Sequence, residues 1–416
     1  MTGTETVHGV EVTLKRIFQA LLAGLLMAAA AFAQPPGNQE PQTRIFRDGP
    51  AWVAELKGTI PASRMLHLHS SAGSVELRGG NQNDITYVIT KRVHKGSEAS
   101  ARRDFENFRV SVSKRGDTAV FEGDSRTHLW NHFSADFNIT VPRAMAAVRI
   151  ETLGGNVAVS NIAGKVSADT AGGDMRMDAV GGSLSASTRG GNIDVGSTAG
   201  EVMLRSAGGS ISVLSAGGAI DAQTSGGNIG IGSGGKDVNV QTAGGNITVK
   251  NCQGTLRAAT AGGNIEVGDV GGDAAMESAG GAIRLGSARG KVLARTLAGE
   301  IRLARLGKGV QAHTAAGCIE VQFLPPPSGF SESSLETMAG DIKVSLPEGM
   351  RTSLRAAINS ASGHNIHSDF SEVRVNSESP GYGPREIYAE GNLNGGGPPL
   401  RMHTTAGDIE ILRDKK

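Results

Sequence analysis

The sequence predicts an all-β protein: a right-handed parallel β-solenoid with two strands per eighteen-residue coil, plus an α+β cap inserted near the N-terminus. Three observations favour this fold. Nearly identical nonapeptides recur every eighteen residues, and branched apolar residues alternate with polar ones after each glycine pair. Glycine also makes up 60 of the 416 residues, about twice its usual share of ~7%. The alternation has the period of two expected of a strand with one buried face.

The repeat is strict over the middle of the chain. Ten copies begin eighteen residues apart without an insertion, at Thr152, Thr170, Thr188, Ser206, Thr224, Thr242, Thr260, Ser278, Thr296 and Thr314. Each copy consists of two nine-residue halves, whose residues we number from position one to position nine. A fixed period of this kind is typical of stacked repeat architectures.

The pattern within each half predicts which side chains are buried. Position six is apolar in every half from Val157 to Ile319, and position seven is mostly polar. Position eight is large in most first halves, such as Val249, and usually alanine in second halves, such as Ala258. We expect positions six and eight to fill a thin interior in which large residues face small ones. Glycine at position four, usually doubled at position three, should form the bend because it tolerates positive φ.

Two polar columns accompany this pattern. Position one of the first half is Thr or Ser in all ten copies, and position five is Asn, Asp or Ser from Asn156 to Asn264. Stacked hydroxyl and amide groups can form hydrogen bonds with neighbours one coil away. We therefore expect both columns to be structural.

The two cysteines test the predicted register over a distance. Cys252 occupies position two of a second half, and Cys318 occupies position five of a first half, four coils further along. Four coils at ~4.8 Å each place them ~19 Å apart along the stacking axis, whereas a disulfide requires Cα atoms within ~7 Å. We expect two free thiols, with Cys252 buried and Cys318 near the surface.

The ends of the chain differ from the repeats. Lys15-Arg16, the apolar run that follows and Ala31-Phe32-Ala33 make residues 1–33 typical of a secretory signal peptide. The alternative is an uncleaved anchor helix, although the run is slightly short for a bilayer span of ~20 residues. Residues 34–43 form a Pro/Gln-rich linker. We expect the mature chain to be exported and to be periplasmic, at the cell surface or secreted.

Three further segments follow the linker. Residues 44–150 are expected to form a β-rich cap with one early coil, at SSAGSVEL from Ser70, and a short helix at SEASARRDFENF. The insertion, roughly residues 79–150, would cover the open N-terminal edge of the solenoid. Residues 151–322 form the regular solenoid. Residues 323–416 form an irregular C-terminal section, in which the motif returns at Thr337 and Thr404.

The segment FNITVPRAMAAVRIETLGGNVAVSNIAG, the TxxGxIxV repeats, IKVSLPEG and the closing RMHTTAGDIEILR together resemble the bacterial putative-adhesin domain of β-strand repeats. The resemblance covers the chain from about residue 44 to its end. It implies an exported, solenoid-like protein grouped with adhesins by architecture. That domain has no assigned function, so the resemblance transfers no catalytic, cofactor-binding or metal-binding residues.

Composition and pattern argue against several chemistries. Lys and Arg (41) balance Asp and Glu (40), so the charge does not favour a nucleic-acid partner. A calcium-binding β-roll would place its liganding Asp at position six, which is apolar here. A polysaccharide lyase or hydrolase would need carboxylates at set separations, and no aromatic residue lies between Phe137 and Phe323 to stack on a sugar. We therefore expect no enzyme activity, no catalytic residues, and no cofactor.

Two groups of side chains are candidates for binding a metal ion or an anionic partner. His67 and His69 share one face of a predicted strand, and His128 and His132 would be neighbours on a helix. Either pair could be half of a metal site, but no clear carboxylate partner accompanies them, so we expect solvated surface. A set of bases in the cap could meet an anionic polymer or lipid surface, although a solvated face is expected: Lys91, Arg92, Lys95, Arg102 and Arg103.

The sequence thus favours a non-enzymatic, exported β-solenoid that acts as an adhesin-like structural or surface-interaction protein at the bacterial cell envelope. The alternative is a ligand-binding or sensory envelope protein that acts through the N-terminal insert, and a polysaccharide-active enzyme ranks third. The partner would be an envelope polymer, a cell surface or a protein.

Overall fold

The computed structural model describes residues 42–94, 96–125, 133–325, 329–378 and 385–414. They form an all-β fold with one helix and two long sheets. The predicted signal peptide and linker residues 34–41 lie outside the described residues, and the first strand already includes the linker residues Gln42 and Thr43. No helix in these described ranges is long and apolar enough to cross a membrane.

The elements before and at the first repeat are β1 (Gln42–Asp48), β2 (Ala51–Ile60), β3 (Met65–Ser70), β4 (Val75–Gly80), β5 (Ile85–Val93), α1 (Glu98–Asn107), β6 (Phe108–Arg115), β7 (Thr118–Ser125), β8 (Phe133–Pro142) and β9 (Ala147–Thr152). The strands of the regular repeats are β10 (Val157–Ile162), β11 (Lys165–Thr170), β12 (Met175–Val180), β13 (Leu184–Thr188), β14 (Ile193–Thr198), β15 (Val202–Ser206), β16 (Ile211–Ala216), β17 (Ile220–Thr224), β18 (Ile229–Gly234), β19 (Val238–Thr242), β20 (Ile247–Cys252), β21 (Leu256–Thr260), β22 (Ile265–Val270), β23 (Ala274–Ser278), β24 (Ile283–Ala288), β25 (Val292–Thr296), β26 (Ile301–Leu306), β27 (Val310–Ala316) and β28 (Ile319–Phe323). The C-terminal strands are β29 (Ser333–Ala339), β30 (Ile342–Leu346), β31 (Thr352–Ile358), β32 (Ile366–Ser368), β33 (Arg374–Glu378), β34 (Glu386–Leu393), β35 (Pro399–Ala406) and β36 (Ile409–Arg413).

First-half and second-half strands separate into two sheets of eighteen strands each within the described residues. Sheet A runs β1-β2-β5-β8-β4-β10, continues through the even-numbered strands to β30, and ends β36-β32. Sheet B runs β6-β7-β3-β9-β11, continues through the odd-numbered strands to β29, and ends β35-β31-β34-β33. Neighbours in the repeats pair in parallel, and antiparallel pairs occur only near the ends of the described sheets.

The two sheets enclose one apolar core. Paired residues in the regular repeats lie eighteen apart, as in Ile247 with Ile265 and Leu256 with Ala274. Every residue at position six from Val157 to Ile319 is at most 2% exposed. The large and small residues at position eight, such as Val249 and Ala258, are buried in the same core. The predicted strand phase is therefore confirmed.

The position-one hydroxyls form a ladder, but their acceptors are main-chain atoms. Each hydroxyl from Thr170 to Thr314 donates to the carbonyl oxygen of the position-four glycine in the previous repeat, as Thr242 Oγ1 does to Gly227 at 2.8 Å. From Thr170 to Ser278 the hydroxyl also accepts from a glycine amide of its own turn, as Thr242 does from Gly245 N at 3.2 Å. These bonds satisfy polar groups that are almost fully buried.

The position-five column forms a second ladder on the surface. The Asn156 side chain accepts from the amide of Asp174 at 2.9 Å, and the same bond recurs in each repeat until Asn264 accepts from Ala282 at 2.8 Å. Ala282 has no side-chain acceptor, so the ladder ends there. Both columns connect successive repeats, as expected.

The need for glycine at position four has a different cause from the one predicted. Gly155 has a positive φ of 106°, but Gly245 does not. A Cβ atom on Gly245 would overlap the carbonyl oxygen of Gly227 and lie 2.8 Å from the amide nitrogen of Asn228. At Gly245, therefore, glycine is required because stacked backbones approach too closely for any side chain.

The N-terminal insertion is part of both sheets. Strands β5 and β8 extend sheet A, while β6 and β7 form a hairpin that extends sheet B. Helix α1 begins after Ser97, whose side chain accepts from Ser100 N, and it buries Ala101 and Phe105 against Ala54 and Val93. The short helix was predicted from the sequence, within a cap expected to be rich in β-strands.

At both ends of the regular repeats, a copy of the motif that is distant in sequence pairs with the outermost repeat. Ser70 pairs with Thr152, so the early repeat lies directly against the first regular one, as expected. Thr404 pairs with Thr337, so β35 lies between β29 and β31. The two thiols are free, with Cys252 buried and Cys318 exposed, and this prediction is also confirmed.

Candidate functional site

The outer face of sheet B contains a long groove, which we call the sheet-B groove. Its volume is about 940 Å³ and it is lined by residues from nine successive strands, β7 to β21 in sheet order. Eight strand spacings of ~4.8 Å make it ~38 Å long. None of its lining residues is aromatic.

Short and long side chains alternate at position seven along the groove. Ser167, Ser185 and Asn239 leave space between the longer Arg149, Met203 and Arg257. Two methionines add exposed apolar surface, because Met65 is 42% exposed and Met203 is 44% exposed. Unbranched thioether side chains adapt to irregular partners. The groove therefore offers an elongated, mostly apolar surface with a few charges.

One end of the groove holds a cluster of His and charged residues. His67 and His69 lie on the outer face of β3, opposite Arg149 and Glu151 of β9. His67 Nε2 lies 3.9 Å and His69 Nδ1 lies 3.7 Å from the same Glu151 oxygen, and Arg149 lies 2.5 Å from the other. The prediction that the histidines share a face is confirmed. The expectation that no carboxylate accompanies them is wrong, because strand pairing brings Glu151 from eighty-two residues away.

Two carboxyl pKa values in and beside this cluster are shifted in opposite directions. Partial burial acts to raise the pKa of Glu151, but the hydrogen bond and charge of Arg149, with both histidines, lower it overall. Burial, followed by the charge of Glu151, raises the pKa of nearby Asp169. Across the described ranges, no three His, Cys, Asp or Glu side chains are spaced to hold a metal ion. His128 and His132 lie outside the described residues.

The bases of the N-terminal insertion mostly have partners within the chain. Lys91 Nζ donates to the carbonyl oxygens of Phe105 and Phe108, at 2.8 and 2.6 Å, and so caps the end of α1. Burial lowers the pKa of Lys91 to about 8. Arg92 pairs with Asp136 at 2.7 Å, and Arg102 pairs with Glu98 at 2.8 Å.

Of the two remaining bases, Arg103 is exposed and Lys95 lies outside the described residues. Sequence proximity therefore does not produce a basic patch here. The sheet-B groove itself was not predicted, because it depends on how short and long outward-facing side chains from nine strands lie next to one another.

Neither a protein-family model nor a curated protein sequence matches the chain. Several solved structures are similar to it. A putative cell adhesion protein from Clostridium sporogenes is 9% identical, with a TM-score of 0.18, over 90% of this chain and 100% of that one. A putative adhesin from Bacteroides fragilis is 10% identical, with a TM-score of 0.21, over 92% and 100%. A putative adhesin from Parabacteroides distasonis is 10% identical, with a TM-score of 0.26, over 70% and 94%. The structures similar to this chain thus include bacterial putative adhesins, the class of protein that its repeat motifs resemble.

Proposed function

We propose that this protein is a non-enzymatic, exported surface-interaction protein of the bacterial cell envelope, and that it binds an extended partner along the sheet-B groove. The observation that carries the proposal is the length of the groove, ~38 Å over nine strands. Compact ligands are bound in enclosed clefts that bury most of their surface. A long open groove instead fits a chain-like partner that contacts many repeats at once.

The residues that line the groove restrict the kinds of partner that can bind in it. Its charges are mixed along the length, with Arg149 and Lys165 toward one end and Glu201, Asp221 and Asp237 beyond them. No aromatic side chain is present to stack on a sugar ring or a base. The partner we propose is an envelope polymer or a protein segment recognised by shape and apolar contact.

The alternative, binding through the N-terminal insertion, has less support. Three of the bases that motivated it have partners within the chain. Deleting residues 79–150 would not test it, because the deletion removes β9, the strand against which β3 and β11 pair. Point substitutions on the intact chain are the appropriate test.

For the fold, we propose a right-handed solenoid with eighteen residues per coil. The constant offset of eighteen between paired residues supports the coil length. Right-handed winding follows from the strong preference for right-handed connections between parallel strands of one sheet.

The test is binding of the purified protein to intact cells and envelope fractions of the bacterium that encodes it. Ser185→Arg places a long side chain in the middle of the groove, and we expect binding to fall at least about tenfold, as when a central contact is lost. Ser345→Arg, on the outer face of sheet A, is the matched control and should bind like wild type. Equal binding by both variants would refute the groove as the site.

Export has its own measurement. Mass spectrometry of the protein from an extracytoplasmic fraction should give an N-terminus at Gln34. An intact residue 1–33 segment on membrane-bound protein would favour the anchor instead.

A further inference from the structure

The outer face of sheet A contains a flat, uncharged area, which we call the sheet-A patch. It is formed by outward-facing residues of β16 and β18: Ser212, Leu214, Ser215, Gly230, Gly232 and Ser233. Leu214 stands out from this patch and is 69% exposed, the highest value among the large apolar residues of the described chain. A single exposed leucine needs no explanation. The residues that surround Leu214, however, do need an explanation.

Gly230 is a glycine that the fold of one chain does not require. A Cβ atom there would meet no other atom within 4 Å, and Gly230 has no positive φ. Position seven, which it occupies, carries a side chain in the neighbouring strands, as in Ser212 and Thr248. The missing side chain leaves a shallow recess beside the projecting Leu214. Projection and recess therefore lie on adjacent strands of the same face.

Four charged side chains that flank the patch have no ion-pair partner among the described residues. Arg176 and Asp194 lie on the strands before it, and Lys250 and Glu266 lie on the strands after it. In the part of the chain that the structure describes, these four form no side-chain ion pair or hydrogen bond. Further along the same face, however, charges do pair.

The unpaired charges around the patch can be compared with the charges further along the outer face of sheet A, which form ion pairs. Arg284 pairs with Glu300, Arg302 pairs with Glu320, and Lys343 pairs with Glu410. The unpaired charges are thus the ones that surround the patch.

We propose that the sheet-A patch binds a second copy of this chain, in a two-fold symmetric, face-to-face dimer. A two-fold axis parallel to the strands, between β16 and β18, places β16 opposite the partner's β18. It also places β14 opposite β20, and β12 opposite β22. Because this axis preserves position along the strand, Leu214 of each copy lies over the Gly230–Gly232 recess of the other. Such an interface is isologous, so every contact occurs twice.

The charges become complementary under the same operation. Arg176 of β12 faces Glu266 of the opposing β22, and both lie at position seven. Lys250 of β20 faces Gly196 of the opposing β14, where the carboxylate of Asp178 occupies the space of the missing side chain, so Lys250 again approaches a negative charge. Rim charges of this kind fix orientation and exclude other registers. An axis along the stacking direction would instead place position seven opposite position nine, and it would lose the pairing of Arg176 with Glu266.

The available area is adequate. The symmetric contact can extend from β4 to β26, nine strand spacings or ~43 Å, across a strand width of ~17 Å. That is ~730 Å² per copy, close to the ~800 Å² of a standard stable interface. The sheet-B groove lies on the opposite face and stays open in such a dimer. The proposal is therefore independent of the proposed function.

The test measures the mass of the full-length chain by sedimentation or light scattering at about 100 µM, a concentration that populates interfaces of micromolar affinity. We expect wild type to have twice the monomer mass. Gly230→Arg fills the recess without an intrachain clash, and Leu214→Glu removes the projection, so both should be monomeric. Gly172→Arg is the matched control, since a side chain there also meets open space, and it should remain dimeric.

Charge reversal tests the geometry of the contact. Arg176→Glu should weaken dimerisation at least about tenfold, and adding Glu266→Arg should restore it, as expected for a close interfacial charge pair. Circular dichroism confirms that each variant is folded. If Gly230→Arg does not fold, Leu214→Glu and the charge reversal still test whether the sheet-A patch forms the dimer interface. A monomeric wild type, or a dimer that tolerates Leu214→Glu and is not affected by charge reversal, would overturn the proposal.

Discussion

Two adjacent glycines, Gly244 and Gly245, should respond in opposite ways to the same substitution. A Cβ atom on Gly245 would lie 2.5 Å from the carbonyl carbon of Gly227, an atom of the stacked backbone. That backbone would have to move by about 1 Å, because a Cβ atom normally lies more than ~3.4 Å from its neighbours. A Cβ atom on Gly244 would meet its nearest neighbour, the Gly226 oxygen, at 3.6 Å, an ordinary contact.

The magnitude follows from the hydrogen bonds that the movement breaks. Thr242 Oγ1 donates to the Gly227 oxygen at 2.8 Å, and Asn246 N donates to Asn228 Oδ1 at 2.8 Å. Each bond contributes about 0.5–1.5 kcal/mol, and leaving the buried Thr242 hydroxyl unsatisfied costs about 1–3 kcal/mol more. We expect Gly245→Ala to lower the free energy of unfolding by about 2–6 kcal/mol.

Gly244→Ala is the control for this prediction. It should raise the free energy of unfolding by about 0.4–1 kcal/mol, because alanine reduces the conformational entropy of the unfolded chain. Both values come from chemical denaturation followed by circular dichroism, with the slope of the transition compared between variants. If Gly245→Ala changed stability by less than 0.5 kcal/mol, or if both variants were equally destabilised, the close-approach argument would be wrong.

Three further predictions use the strand phase, the thiols and a buried amine. Ile247→Asp, which buries an unpaired carboxyl group, should destabilise the protein by several kcal/mol. Thr248→Asp on the outer face should change stability by about 0.5 kcal/mol or less. Equal effects of the two substitutions in chemical denaturation would contradict the assignment of buried and exposed positions in the strand. Cys318 should react with a maleimide in the native protein and Cys252 only after unfolding, as counted by mass spectrometry; rapid labelling of both thiols would contradict their placement. Burial lowers the pKa of Lys91 from its ordinary 10.5 to about 8. Between these pH values the unfolded state therefore binds more protons than the folded state. The contribution of Lys91 to stability should rise as the pH increases from 8 toward 10. Chemical denaturation at pH 8 and pH 10 measures the free energy of unfolding of wild type and of Lys91→Met. A difference between the two proteins that does not change with pH would refute the prediction.

Much of the fold could be predicted because the repeat is local. Apolar residues at position six and their polar neighbours determine which face of each strand is buried, and a period of eighteen determines which residues pair. The short helix was also predicted, from the segment SEASARRDFENF, and in the structure Ser97 caps its N-terminus. These features depend on residues close together in the sequence.

The features that were missed depend on contacts between distant residues. Glu151 reaches His67 and His69 only because β9 pairs with β3 across the insertion. The cap bases look like a patch in the sequence, but Lys91 is directed to the end of a helix fourteen to seventeen residues later. The reason for glycine at Gly245 was also missed, because it lies in the backbone of the preceding repeat rather than in its own φ.

The pairing of Ser70 with Thr152, and of Thr337 with Thr404, has a consequence for folding kinetics. Between these ends every repeat contacts residues about 18 positions away, which is only about 0.04 of the chain length, so the relative contact order is very low and the middle can propagate quickly. The two terminal pairings must close segments of 82 and 67 residues, and loop closure slows them. The last regions to fold should therefore be the two ends, and until they close, the growing sheets present unpaired strand edges that can capture another chain.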